Sequence, residues 1–136
     1  MSLLEITDLQ THFFTSAGVV RAVDGVSYAL DRGEVLAVVG ESGSGKSVTG
    51  LSVMGLIDAP GRIVGGSIRF DGRDIAGLPN AEMRRLRGAR IAMIFQDPMM
   101  TLNPVLRIDT QMVETILAHR SMGRAEAWQL SRDMLG

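Results

Sequence analysis

Apolar and polar residues alternate loosely from Leu3 to Phe14, with Leu4, Ile6 and Leu9 on the apolar beats, which predicts a strand. A turn at Thr15 to Gly18 leads into a second strand, Val19 to Leu30, with an irregularity at Asp24-Gly25 that reads as a bulge. Asp31-Arg32-Gly33-Glu34 then turns the chain into Val35–Val39, an unbroken apolar run too short for a helix and suited to a strand buried on both faces. The run from Val48 predicts a helix to about Ile57, stopped by Asp58-Ala59-Pro60-Gly61. Gly65-Gly66 opens another strand over Ser67 to Phe70, closed by the hairpin signal Asp71-Gly72. Pro79 to Leu86 predicts a short helix, Arg90 to Phe95 a second buried strand, and Pro98 and Pro104 bracket a loop. Arg107 to His119 and Arg124 to Leu135 have helical spacing, with Ile108, Met112 and Ile116 on one face. Strands and helices mixed in this order predict an α/β domain, without internal repeat or low-complexity segment.

Composition narrows the classes. At 136 residues, 46% hydrophobic and 21% charged, the chain has one domain's length and enough apolar residues for a core. A net charge of −1 gives no general attraction to nucleic acid or a membrane surface. There is no cysteine, which excludes disulfides and thiolate metal sites. No apolar run reaches the length of a membrane span, and the opening MSLLEITDLQ carries acids and no basic region, unlike a signal peptide. His12 and His119 are far apart in sequence and read as ordinary surface or edge residues rather than a ligand pair.

The chemistry lies directly after the first apolar run. Gly40 to Ser47, GESGSGKS, matches G-x-x-x-x-G-K-[ST], the phosphate-binding P-loop, in its expected setting between a strand and a helix. Gly40, Gly43 and Gly45 let the backbone curl so that successive N–H groups point at phosphate oxygens. The helix that follows adds its N-terminal partial positive charge. Lys46 is positioned to reach the β- and γ-phosphates and the Ser47 hydroxyl to ligate Mg²⁺. Lys46 is the sole lysine, all other basic residues among the 14 Lys and Arg being arginine. A compact ammonium fits between phosphates where a planar guanidinium does not.

A second signal is IFQDPMMTLNP, Ile94 to Pro104: a glutamine at the carboxyl end of an apolar run, where α/β proteins bind ligands. Following GESGSGKS at this distance, it resembles the Q-loop of ABC-transporter ATPases. The form FQ-D-P-M-x-x-L-N-P is similar to the oligopeptide/dipeptide/nickel permease subfamily, as are GESGSGKSVTGLSVMGL and the opening T-x-F-x-T-x-x-G…AVDGVSY. The likeness runs from end to end of the chain.

The resemblance implies a P-loop NTPase fold of the ABC type: an N-terminal antiparallel β subdomain, part of the RecA-like core and the start of a helical subdomain. The corresponding segments are 1–34, 35–106 and 107–136. It implies ATP and Mg²⁺ as cofactors, with Gly40, Glu41, Ser42, Gly43, Ser44, Gly45, Lys46, Ser47 and Val48 around the phosphates. It implies Lys46 and Gln96 as the catalytic residues, with Gln96 joining Ser47 in holding Mg²⁺ and the attacking water. An aromatic ring near the N-terminus stacks on adenine in this family: Phe14 here, then Phe13, then Tyr28, each with a plain core or edge role as the other reading. The implied partners are transmembrane permease subunits and a second ATPase subunit, with no nucleic acid. The implied location is peripheral, on the cytoplasmic face of the bacterial inner membrane.

Val48 stands where many ABC ATPases have threonine, a change the subfamily tolerates. QLSRDML has a Leu-Ser pair without the glycines of a signature loop, and neither an apolar strand ending in Asp-Glu nor a switch histidine follows. The expectation is therefore the N-terminal part of a longer ATPase, inactive alone, with a truncated non-catalytic binding module as the alternative. A further alternative takes IAMIFQD as a Walker-B strand with Asp97 on Mg²⁺, as in a small P-loop kinase or GTPase. Met99 and Met100 read either as contacts for a membrane-subunit helix or as core residues.

Overall fold

The computed structural model describes residues 1–97, 99 and 101–136. Pro98, expected to bound a loop, and Met100 lie outside the described residues. The chain divides into two compact units, Met1–Arg87 and Gly88–Gly136. The division precedes the apolar run at Arg90, whereas the resemblance sets its helical segment from residue 107.

The first unit is built on an antiparallel sheet. Strand β1 (Leu4–Thr15) pairs on one side with β2 (Gly18–Leu30) and on the other with β3 (Gly61–Phe70), and β4 (Arg73–Asp74) extends the far edge, giving the order β2-β1-β3-β4. The register of β1 against β2 shifts between Leu9↔Val26 and Gln10↔Asp24, so Gly25 is the extra residue and the irregularity falls where the sequence predicts it. Asp71-Gly72 closes the β3–β4 hairpin with positive φ at both residues (50° and 80°), the geometry that favours Asp-Gly. One sheet face carries the core: Ile6 and Leu9 of β1, Val23 of β2, and Ile68 and Phe70 of β3 are buried. Strand β3 starts at Gly61, earlier than the Gly65-Gly66 start read from the sequence, because β1 pairs with it as far as Phe13↔Gly61.

Helix α1 (Lys46–Val53) packs on the core face. The buried Thr11 and Ser52 hydroxyls lie 2.8 Å apart, and Ser52 Oγ donates to the Val48 carbonyl at 2.7 Å, so the Thr11 hydroxyl supplies the proton between the pair. The helix is shorter than the predicted run to Ile57. Gly55 adopts φ +63°, its N–H donates to the Ser52 carbonyl and that of Leu56 to the Leu51 carbonyl, a Schellman ending that a pattern-based reading passes over. Helix α2 (Asn80–Leu86) follows with Met83 buried.

Two expectations fail. Neither Val35–Val39 nor Arg90–Phe95 is a buried strand. Val35, Val39 and Ile94 are 94%, 88% and 98% exposed, and neither segment joins a sheet; only Ile91 makes a local bridge. An apolar run marks a segment fit for a two-sided sheet, but a strand exists only when a neighbour exchanges hydrogen bonds with it. Among the described residues the strands that pair are committed to the antiparallel sheet.

In the second unit, α3 (Ile108–His119) and α4 (Arg124–Leu135) pack through Val113, Ala127 and Ser131. Ile108, expected on one face with Met112 and Ile116, is half exposed, and Val113 is the buried residue of α3. Gln111 ties the preceding loop to α3: its Oε1 accepts from the Asn103 N–H, and its Nε2 donates to the Asn103 and Leu106 carbonyls.

Candidate phosphate-binding site

The loop between Gly40 and Ser47 curls back on itself before α1. The Ser44 N–H donates to the Glu41 carbonyl at 3.2 Å. At Gly40 a Cβ would lie 2.6 Å from Ser44 Oγ, so the turn closes on a position without a side chain. Gly45 is constrained twice. Its φ is +97°, a left-handed value, and a Cβ there would lie 2.3 Å from the Ala22 carbonyl of β2. The loop is thereby seated against the sheet.

Gly45 is the N-cap of α1 and gives no side-chain cap, and the first turn holds no acidic residue. The free N–H groups and the positive end of the helix dipole are therefore open to an anion, with no carboxylate competing. Lys46 folds over the loop: its Nζ donates to the carbonyls of Gly40 (2.6 Å) and Glu41 (2.7 Å) and to Ser44 Oγ (3.2 Å). The ammonium is held within the loop by neutral acceptors, which a phosphate would replace with charged ones. Glu41, Ser42, Gly43, Ser44 and Ser47 are exposed, and Val48 is half-buried in the first turn. The arrangement fits a phosphate chain: glycines at Gly40 and Gly45 where a Cβ would clash, an uncapped helix N-terminus and one cation on the loop.

The expected site residues outside the loop are distributed. Phe14 is 40% exposed in β1, and the Arg62 guanidinium lies 4.5 Å from its ring centroid. Phe13, half-buried, alternates with it onto the face of Thr11, the face that bonds α1, and lies over Gly61, where a Cβ would come within 2.5 Å of Phe13 Cε1. Tyr28 is half-buried in β2, and burial pushes its hydroxyl above the ordinary tyrosine pKa. Gln96 belongs to the second unit and is exposed. Beside it the Asp97 carboxylate accepts the Met99 N–H at 2.9 Å. His12 is also on β1, with a shielded Nε2 that has no hydrogen-bond partner among the described residues and lies 3.8 Å from Asp24 Oδ1.

Sequence reasoning passed over three supporting residues, Thr11, Ser52 and Arg87. The Arg87 Nε donates to the Met54 carbonyl at 2.7 Å, and its two terminal nitrogens donate to the Gly55 carbonyl and to Asn80 Oδ1, each at 2.8 Å. Only the arginine after a predicted helix was visible in the sequence; its partners are set by the fold.

The ABC transporter family model matches residues 23–134. The oligopeptide transport ATP-binding protein OppD of Escherichia coli is 48% identical over 134 residues, covering 98% of this chain and 40% of OppD. The dipeptide transport ATP-binding protein DppD of the same organism is 44% identical over 135 residues, covering 99% of this chain and 41% of DppD. The oligopeptide transport ATP-binding protein AppD of Bacillus subtilis is 43% identical over 135 residues, covering 98% and 41%. The chain thus spans about two fifths of the length of these relatives. Among solved structures, the dimeric cassette of the bacterial ABC transporter MJ0796 superposes with a TM-score of 0.78 at 21% identity, over 93% of this chain and 53% of the cassette, and carries the fold likeness alone.

Proposed function

This chain belongs to the ABC transporter family, and from that premise we propose that it is the nucleotide-binding part of the ATP-binding subunit of a peptide importer. The observation that carries the reading is the Gly40–Ser47 loop, closed on glycine and opening onto an uncapped helix with Lys46 at its rim. The relatives named for oligopeptide and dipeptide transport, at 43–48% identity, support the solute class.

In this reading the N–H groups from Gly43 to Val48 bind the phosphates of ATP and Lys46 moves from the loop carbonyls onto the β- and γ-phosphates. Ser47 ligates Mg²⁺. Among the described residues no group of three or more His, Cys, Asp or Glu could hold a metal, so the phosphate oxygens would supply much of its shell. Gln96 completes the site in the assembled protein by holding Mg²⁺ and the attacking water. Adenine stacks on a ring of β1. Phe14 is the more exposed candidate, and Phe13 shares the face of α1.

The 136 residues alone bind nucleotide without turning it over. Phosphoryl transfer needs several groups positioned together, and this chain brings a cradle, a lysine, a hydroxyl and a glutamine. Hydrolysis belongs to the complete protein, paired with a second ATPase subunit on permease subunits at the cytoplasmic face of the bacterial inner membrane. No described helix is long and apolar enough to cross a membrane. The kinase or GTPase reading is disfavoured by the Gln96-Asp97-Pro98 order and by the Leu102-Asn103-Pro104 that follows, which fit a Q-loop better.

The test is uptake. Lys46→Ala in the complete protein should abolish ATP-dependent accumulation of short peptides while the permease subunits still co-purify with it. Unchanged peptide uptake would refute the assignment.

A further inference from the structure

Helix α1 has eight residues, a length that its own hydrogen bonds hold only marginally. Its N-terminal end has neither a side-chain cap nor an acidic residue, so that end lacks a capping contribution until an anion binds. The C-terminal end is reinforced twice. The Gly55 and Leu56 N–H groups close the Schellman ending at 3.1 and 2.9 Å. Arg87, half-buried beyond α2, then lays its guanidinium across the Met54 and Gly55 carbonyls and reaches Asn80 at the start of α2. A cation at a helix C-terminus has the favourable sign for the dipole. The planar fork reaches two carbonyls and an amide oxygen from three separate nitrogens held in one plane, whereas the three donors of an ammonium radiate from a single atom.

We propose that Arg87 is a positioning residue for the phosphate site. It touches no ligand and acts through α1, holding the far end of the helix so that the near end presents a formed cradle. The inference rests on the nucleotide reading of Gly40–Ser47. When the clasp is removed, α1 frays and a smaller fraction of chains carries the competent cradle, so the apparent Kd rises in inverse proportion to that fraction. The loss falls on the phosphate contacts and spares the base. ATP and tripolyphosphate therefore weaken by the same factor.

The experiment titrates the 136-residue chain and its Arg87→Ala, Arg87→Lys and Asn80→Ala variants with Mg-ATP and with tripolyphosphate, below the melting temperature of every variant. Arg87→Ala should weaken both ligands about tenfold, as for a competent fraction of about one tenth. Arg87→Lys and Asn80→Ala should fall in between. Ethylguanidinium should restore part of the affinity of Arg87→Ala and leave the unaltered chain unchanged. A folded Arg87→Ala that melts earlier but binds both ligands with unaltered affinity would reduce Arg87 to a structural residue and overturn the inference. Should Arg87→Ala fail to fold, Arg87→Lys decides, and unaltered affinity in it overturns the inference equally. An unaltered chain that binds neither ligand would sink the nucleotide reading and this inference together, whereas binding that ignores Arg87 sinks the inference alone.

Discussion

Gly45 abuts Ala22: a Cβ on the glycine would stand 2.3 Å from the Ala22 carbonyl oxygen, so the phosphate loop is seated on strand β2 by direct backbone contact. Gly43, two residues earlier, has a similar left-handed φ of +80° with nothing within 4 Å of the same construction. The two glycines separate conformational strain from close approach. Gly43→Ala should cost the strain alone, about 1–2 kcal/mol. Gly45→Ala should cost that and a backbone displacement besides, and should lower the thermal midpoint clearly more. Equal midpoints for the two variants would contradict the seating of the loop on β2.

The Thr11–Ser52 hydroxyl pair predicts a coupled pair of mutations. Ser52→Ala leaves a buried Thr11 donor without its acceptor and should cost about 1–3 kcal/mol, whereas Thr11→Val removes the donor itself and should cost less. In Thr11→Val/Ser52→Ala neither orphan remains, so denaturant unfolding should show the double variant losing less than the sum of the singles. Strict additivity would mean that the bond between β1 and α1 contributes nothing.

These two contacts also show what the sequence could and could not carry. The P-loop, the Asp71-Gly72 hairpin, the bulge at Gly25 and helices α2 to α4 are local in origin, each written within a few residues, and were legible. The end of α1 was not, because Gly55 sits inside a continuing apolar run and only its left-handed conformation stops the helix. Val35–Val39 and Arg90–Phe95 read as buried strands because hydrophobicity records fitness for burial, while pairing depends on neighbours elsewhere. Thr11, Ser52 and Arg87 gave no signal: their partners lie 41 residues away for the hydroxyl pair and 33 and 32 for the arginine's carbonyls. Gln96 was legible as a motif, and the role proposed for it rests on the family likeness rather than on a contact.

The choice of adenine-stacking ring is open to a paired comparison. Phe14→Ala and Phe13→Ala are each titrated with ATP and with tripolyphosphate. The ring that stacks should, when removed, weaken ATP by about 1 kcal/mol, the scale of one aromatic stack, and spare tripolyphosphate. Equal weakening of both ligands by one variant marks that ring as structural. If neither variant discriminates, adenine is not held by these rings of β1.

The exposed side chains of Val35, Leu36, Val38 and Val39 form an unpaired apolar segment beside the loop. Such a segment is a template for association between chains. The isolated chain should therefore self-associate as its concentration rises, by analytical ultracentrifugation, and Val35→Lys/Val39→Lys should reduce the association without altering the β-sheet signal in circular dichroism. A monodisperse monomer at high concentration would show the segment to be harmless.

The central claim, that Gly40–Ser47 binds the phosphates of ATP, is met most directly by calorimetric titration of the chain and its Lys46→Ala variant with Mg-ATP. The unaltered chain should bind. Losing the lysine should remove a charge-assisted contact of about 1.5–3 kcal/mol or more, lifting the Kd beyond detection while circular dichroism stays unchanged. Equal affinity in the two proteins would contradict the assignment of the loop.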